Sequence, residues 1–302
     1  MNNIIYPKPL QKGDKIAILS PAGIINPDYV NNAVKVLKSQ GWEPYVATYT
    51  LGKSGNYSGT IEQRLGDLKT ALADANVRAI LCSRGGYGVV HLLDELNKLP
   101  FNEDPKWIIG FSDISALHAL MTSKGIASIH ASMTKHLSEF IGKDDDAIAL
   151  FKILKGELPT YNFEYNHYNR TGSTSGRIIG GNLAVLAQLI RTPFDIFEKD
   201  TILFIEDICE PIYKVERILY QLRLAGILGN LKGLIIGQFT EWSPDANYNN
   251  MNDMIADMIA PYSYPVVFDA PIGHVEHNIP IIENAQIDLS VTKTGTNIIF
   301  KR

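Results

Sequence analysis

Three side chains able to support acyl chemistry stand where the sequence expects strands to end. Ser112 sits in "KWIIGFSDISALH", where a run fit for a buried strand passes through Gly110 into a hydroxyl and then into a helical pattern. Glu206 and Asp207 close "TILFIED", and His274 follows the strand-like "PVVFDA" in "PIGHVEHNIP", with Glu276 between it and His277. A free hydroxyl is a weak nucleophile. It attacks a carbonyl when an imidazole takes its proton, and an acid beside the imidazole fixes the tautomer and supports the imidazolium. The chain order serine, acid, histidine is the one α/β-hydrolases use.

Each residue also has an ordinary reading. A serine before a helix caps orphan N–H groups in most proteins, and the nucleophile-elbow pattern is incomplete, because Ile114 stands where a second glycine is expected. Glu206 at a strand end suits a helix cap or a solvated acid, and a single strand-end histidine is often structural. The turn "SRGGYG" (83–88) matches neither the dinucleotide fingerprint nor the phosphate loop. Its paired glycines fit either a plain tight turn or a backbone brought close to a ligand with N–H groups outward, as an oxyanion hole requires. His274 and His277 form no H-E-x-x-H and no C-x-x-C accompanies them, so neither a metal nor a cofactor is expected. Cys82 and Cys209 lie in apolar, strand-like contexts that suit buried, reduced thiols.

The elements that must place these groups alternate. "KIAILS", "EPYVATY", "VRAILCS" and "KWIIGFS" read as strands; 28–40, "IEQRLGDLKTALAD", "VVHLLDELN" and the segment after Ser112 up to Gly125 read as helices. Such alternation builds a doubly wound, mostly parallel α/β sheet, with ligands at the carboxyl ends of its strands. The pattern weakens between about 135 and 175. That places a crossing from an amino-terminal domain, 1–160, to a smaller β-rich α/β domain, 161–302. The second continues with "IIGGNLAVLAQLI", the strand "TILFIED", the helix "IYKVERILYQLRLAG", the strands "GLIIGQF" and "PVVFDA", and a closing hairpin around Gly295.

With 302 residues, 45% hydrophobic and 20% charged, the chain is long enough for two such domains. A net charge of -4 without a basic run argues against a nucleic-acid partner. The opening MNNIIYPKPLQKGDK lacks the parts of a signal peptide and no apolar run reaches a membrane span, so no membrane association and a cytoplasmic location are expected.

"SRGGYG", "GFSDISALH", "GRIIGGNLAVLAQLIRTPF", "LFIEDICEPIYKVERILYQLRLAGIL", "GLIIGQF" and "PIGHVEHNIPI" together resemble the serine LD-carboxypeptidases, the group that also holds the microcin-immunity peptidases. The resemblance runs from about residue 10 to 290. It implies Ser112 as nucleophile, Glu206 as acid and His274 as general base, with the amides of Gly86 and Asp113 as oxyanion donors. It further implies a homodimer that removes terminal D-Ala from murein tetrapeptides during cell-wall recycling, and Arg84 is a candidate for the substrate carboxylate. Two other functions stand beside this one: deacylation of an aminoacyl-nucleotide antibiotic, and non-enzymatic binding of a small molecule by a two-lobed protein. Arg191 in "IRTPF" departs from the family pattern, where a glycine is expected before Thr-Pro, and should affect loop shape more than chemistry.

Overall fold

The structure, a computed structural model, describes residues 4–302; the first three residues of the opening stretch read above lie outside them. In chain order the strands are β1 (Lys15–Leu19), β2 (Glu43–Val46), β3 (Val77–Cys82), β4 (Trp107–Gly110), β5 (Ser128–His130), β6 (Thr160–Phe163), β7 (Gly172–Asn182), β8 (Thr201–Ile208), β9 (Gly233–Thr240), β10 (Val266–Val267), β11 (Ile281–Glu283), β12 (Gln286–Thr292) and β13 (Gly295–Lys301). They form two sheets, in two compact units. The first unit holds the chain through Glu157 together with Ile279–Glu283, and the second holds Leu158–Asn278 and Asn284–Arg302. The first unit thus ends near the expected crossing at 160 and takes back one strand from the carboxyl-terminal region.

The first sheet runs β11-β5-β4-β3-β1-β2, parallel except for β11, which lies antiparallel on β5. Its central strands are buried almost throughout, Ile16, Ala17, Ile18, Ala79 and Ile80 being fully enclosed, as a parallel sheet covered on both faces requires. The strand order reverses between β1 and β3, and the turns leaving those strands meet there: Gly23 N–H donates to Gly85 O at 3.1 Å. That is the crevice in which doubly wound sheets hold ligands.

The second sheet runs β10-β9-β8-β7-β12-β13-β6. β7 to β10 are parallel, and β12, β13 and β6 continue from β7 as antiparallel neighbours. The expected hairpin turns at Gly295, with Thr292 paired to it. The polar segment read as a crossing contains β6 and the start of β7. Its hydroxyls face solvent and pair across strands, Ser173 with Ser290 and Ser175 with Asp288, so alternation was present without an apolar face to mark it.

Other expectations shift in detail. "VVHLLDELN" begins as a 3₁₀ turn, Val89–Leu92, before one short α-helix, Leu93–Leu96, and "PVVFDA" yields only β10. Cys82 is buried as expected. Cys209 is not: it is exposed at φ +61 in the turn after β8, and its thiol donates to Glu241 Oε2 at 2.9 Å. No helix among the described residues is long and apolar enough to cross a membrane.

Candidate active site

In the first unit, β3 and β4 are neighbours, with Leu81 opposite Ile109, so the glycine turn after β3 and the serine turn after β4 leave the sheet side by side. Ser112 opens a 3₁₀ turn, Ser112–Ile114, that runs into the helix Ser115–Ser123. It holds φ +67, the left-handed region that a side chain enters only under constraint. The cap positions of these two helical segments belong to Phe111 and Ile114, and neither segment has a side-chain cap. Helix capping therefore does not account for the hydroxyl at residue 112.

The serine needs its neighbour small. A Cβ on Gly85 would lie 2.8 Å from Ser112 Cβ and 3.0 Å from its Oγ, which only glycine avoids. The next residue, Gly86, is at φ +118 and lies against Gly23 of the turn after β1. Of the two glycines, the one that touches Ser112 is Gly85, a contact the sequence signalled only through the Gly-Gly pair. Arg84 is exposed and donates through Nη1 to Ile24 O at 2.8 Å.

Below the turn, His118 is fully buried, and burial lowers its pKa to about 4, so the ring is neutral near pH 7. Its Nε2 lies 2.8 Å from Gly110 O and its Nδ1 2.8 Å from Ser128 Oγ. A carbonyl can only accept, so Nε2 carries the proton and Nδ1 accepts from the serine. The strand end that carries Ser112 is thereby tied to β5.

In the second unit, Glu206 is fully buried near the carboxyl end of β8, and its Oε2 accepts from His274 Nδ1 at 2.8 Å. Local irregularity makes the pairing possible. The β8–β9 register slips between Ile205 and Asp207, and the segment before His274 bonds to β9 there, Ala270 N–H to Ile236 O at 3.0 Å and Gln238 N–H to Ile272 O at 2.8 Å. Gly273, at φ +121, lets the backbone rest on the acid, since a Cβ there would come within 2.8 Å of both Glu206 Cβ and Oε2. Its N–H donates to Asn278 Oδ1 at 2.9 Å.

Burial opposes charge on His274, but the Glu206 hydrogen bond and the charges of Glu206, Asp207 and Glu241 outweigh it, and the imidazole pKa is raised. Its neighbouring acids are engaged elsewhere. Asp207 accepts from Asn182 Nδ2, Ala184 N and Ile208 N, each at 2.9 Å, and Glu210 pairs with Lys214. Burial and then the charge of Glu206 push the Asp207 carboxyl up to about 6. His277 is exposed, and among the described residues the His/Asp group close enough to share an ion is His136, Asp144 and Asp146, not the His274–His277 pair. Arg191, where glycine was expected, holds φ +66, the conformation that explains the expectation.

A family model for the LD-carboxypeptidase N-terminal domain matches residues 16–131, and one for the LD-carboxypeptidase C-terminal domain matches 175–289. The "Probable murein peptide carboxypeptidase" of Bacillus subtilis strain 168 is 30% identical over 91% of this chain and 88% of its own length. The crystal structure of a muramoyltetrapeptide carboxypeptidase from Oxalobacter formigenes superimposes with a TM-score of 0.86 at 26% identity, covering 95% of this chain and 99% of that one. The microcin C7 self-immunity protein MccF, solved with aspartyl sulfamoyl adenosine, gives a TM-score of 0.85 at 19% identity, covering 99% of both chains, a likeness of fold.

Proposed function

The chain belongs to the LD-carboxypeptidase family, and from that premise we propose that it is a serine peptidase that releases terminal D-Ala from murein tetrapeptides. The observation that carries the reading is Ser112, a serine at φ +67 packed on Gly85 with no capping position to occupy. In this reading Ser112 Oγ attacks the carbonyl of the L,D bond while His274 Nε2 takes its proton. The tetrahedral oxyanion is held by the amides of Gly86 and Asp113, each worth about 3–4 kcal/mol in comparable sites. The C–N bond then breaks, His274 returns the proton to the leaving D-Ala amine, and a water deprotonated by the same imidazole hydrolyses the acyl-enzyme. Glu206 keeps Nδ1 protonated, which leaves Nε2 as the base.

Arg84 is the cation we assign to the terminal carboxylate of the substrate. The protein acts in the cytoplasm as a homodimer in peptidoglycan recycling, without metal. Incubation with murein tetrapeptide followed by mass spectrometry should show tripeptide and free D-Ala, undiminished in EDTA. Cleavage of an aminoacyl-adenylate analogue instead would select the deacylase reading, and turnover of neither would leave a binding protein.

A further inference from the structure

The peptide between Gly88 and Val89 is held at both ends. Arg64 Nη1 donates to Gly88 O at 2.9 Å, and Val89 N–H donates to Asp113 Oδ2 at 2.9 Å. The C=O and N–H of one trans peptide point in opposite directions in a rigid plane, so guanidinium and carboxylate grip a single body. Asp113 directly follows Ser112. Gly88 ends the glycine turn that contains Gly85 and Gly86.

Arg64 is built for this place. It is 2% exposed, yet among the described residues its guanidinium meets no carboxylate in an ion pair. Nη1 also donates to Pro21 O at 2.7 Å and Nε to Gly59 O at 3.2 Å, while the ring of Tyr57 lies 4.9 Å from the guanidinium carbon. One side chain therefore ties the turn after β1, the entry to the helix Ile61–Ala73 and the glycine turn. Burial disfavours both charges, lowering the Arg64 pKa and raising that of Asp113, and each charge partly offsets the penalty on the other. An apolar filler would close the same space without that penalty. What it would not do is fix the peptide's direction.

We propose that Arg64 and the Asp113 carboxylate are positioning residues that act through the Gly88–Val89 peptide to set the glycine turn against the nucleophile turn, presetting the Gly86 and Asp113 amides as oxyanion donors. The proposal rests on the carboxypeptidase reading of Ser112. Oxyanion donors are effective because they are aimed before the reaction begins, and a misplacement of about 1 Å can reduce rate about 100-fold.

The test combines kinetics on murein tetrapeptide with hydrogen exchange of the Val89 amide in Arg64→Lys, Arg64→Met, Asp113→Asn, Asp113→Ala and the Arg64→Lys/Asp113→Ala pair, each checked for its melting temperature. Asp113→Ala should lose about 100-fold or more in kcat with KM within about threefold, and Asp113→Asn, which keeps an acceptor, should recover to within about tenfold of wild type. Because both side chains act on one peptide, the double variant should lose no more than about threefold beyond Asp113→Ala alone. Val89 exchange should quicken in Asp113→Ala and in either Arg64 variant. If Arg64→Met does not fold, Arg64→Lys and the Asp113 pair carry the comparison. Unchanged kcat in folded Asp113→Ala, or losses that multiply in the double variant, would overturn the clamp. A wild-type protein that releases no D-Ala would instead overturn the carboxypeptidase reading, and Val89 exchange would still test the clamp.

Discussion

Ser112 occupies a backbone conformation that disfavours any residue with a Cβ by about 1 kcal/mol or more, and substitution there distinguishes the proposed nucleophile from a structural serine. Ser112→Ala keeps the Cβ and the strain, so its melting temperature should stay near that of wild type while turnover falls at least about 10⁴-fold. Ser112→Gly should be equally inactive and more stable by about 1 kcal/mol, because the left-handed conformation suits glycine. A destabilised but active Ser112→Ala would defeat the assignment. Ser115→Ala, at the buried first position of the following helix, should retain most activity. The Glu206–His274 pair gives a pH test. Because the folded-state pKa of His274 is raised, the imidazolium persists above the ordinary value of about 6.5, and the pair's contribution to stability is present below that value and lost as pH rises through the folded pKa. A base must be neutral, so kcat/KM should climb through a midpoint above about 6.5. In Glu206→Gln the midpoint should move down and kcat should fall by about 10²–10⁴. A midpoint that stays in place would remove Glu206 from the pair.

At the scale of elements, the strand ends proposed to carry chemistry were legible because each is a buried, mainly apolar run followed by a polar residue: "KWIIGF" before Ser112, "TILFI" before Glu206 and "VRAILC" before the glycine turn. What single-chain periodicity could not reveal are contacts between elements. The register slip beside Glu206 and the rest of Gly273 on that acid join segments distant in sequence, the bond from His118 to Gly110 O joins a helix to the strand before it, and each glycine or histidine taken alone reads as an ordinary glycine or core histidine. Cys209 misled because its apolar predecessors belong to β8 while the thiol itself lies past the strand's end in a strained turn. Glycine positions offer the sharpest test at this scale. Gly273→Ala combines φ +121 with a Cβ 2.8 Å from Glu206, so it should both destabilise the fold by about 2 kcal/mol or more and displace the acid from the imidazole. Arg191→Gly should do the reverse at φ +66, stabilising by about 1 kcal/mol with kcat/KM unchanged. Loss of activity in Arg191→Gly would show that this loop does more than set its own shape.

At the scale of the whole molecule, neither unit is one continuous stretch of sequence. The chain leaves the first unit at Glu157, builds most of the second, returns for Ile279–Glu283 and leaves again. The returning piece is only three paired residues long, too short for periodicity to announce, yet it covers the edge of β5 through Ile281, Ile282 and Glu283. Ile281 and Ile282 are 0% and 1% exposed. Burying two isoleucines is worth about 3–6 kcal/mol, a large share of the 5–15 kcal/mol that holds a typical domain together. The amino-terminal boundary read from sequence, 1–160, therefore omits a structural part of its own sheet. A fragment of residues 1–160 should melt well below the intact chain and expose β5 as an unpaired edge prone to association. The same fragment with residues 279–283 appended through a flexible linker should recover much of the loss. The intact chain, whose first unit takes a strand from between the two segments of the second, should unfold in a single calorimetric transition. Two separate transitions, or a fragment 1–160 as stable as the first unit of the whole protein, would show that the returning strand is a covering and not a support.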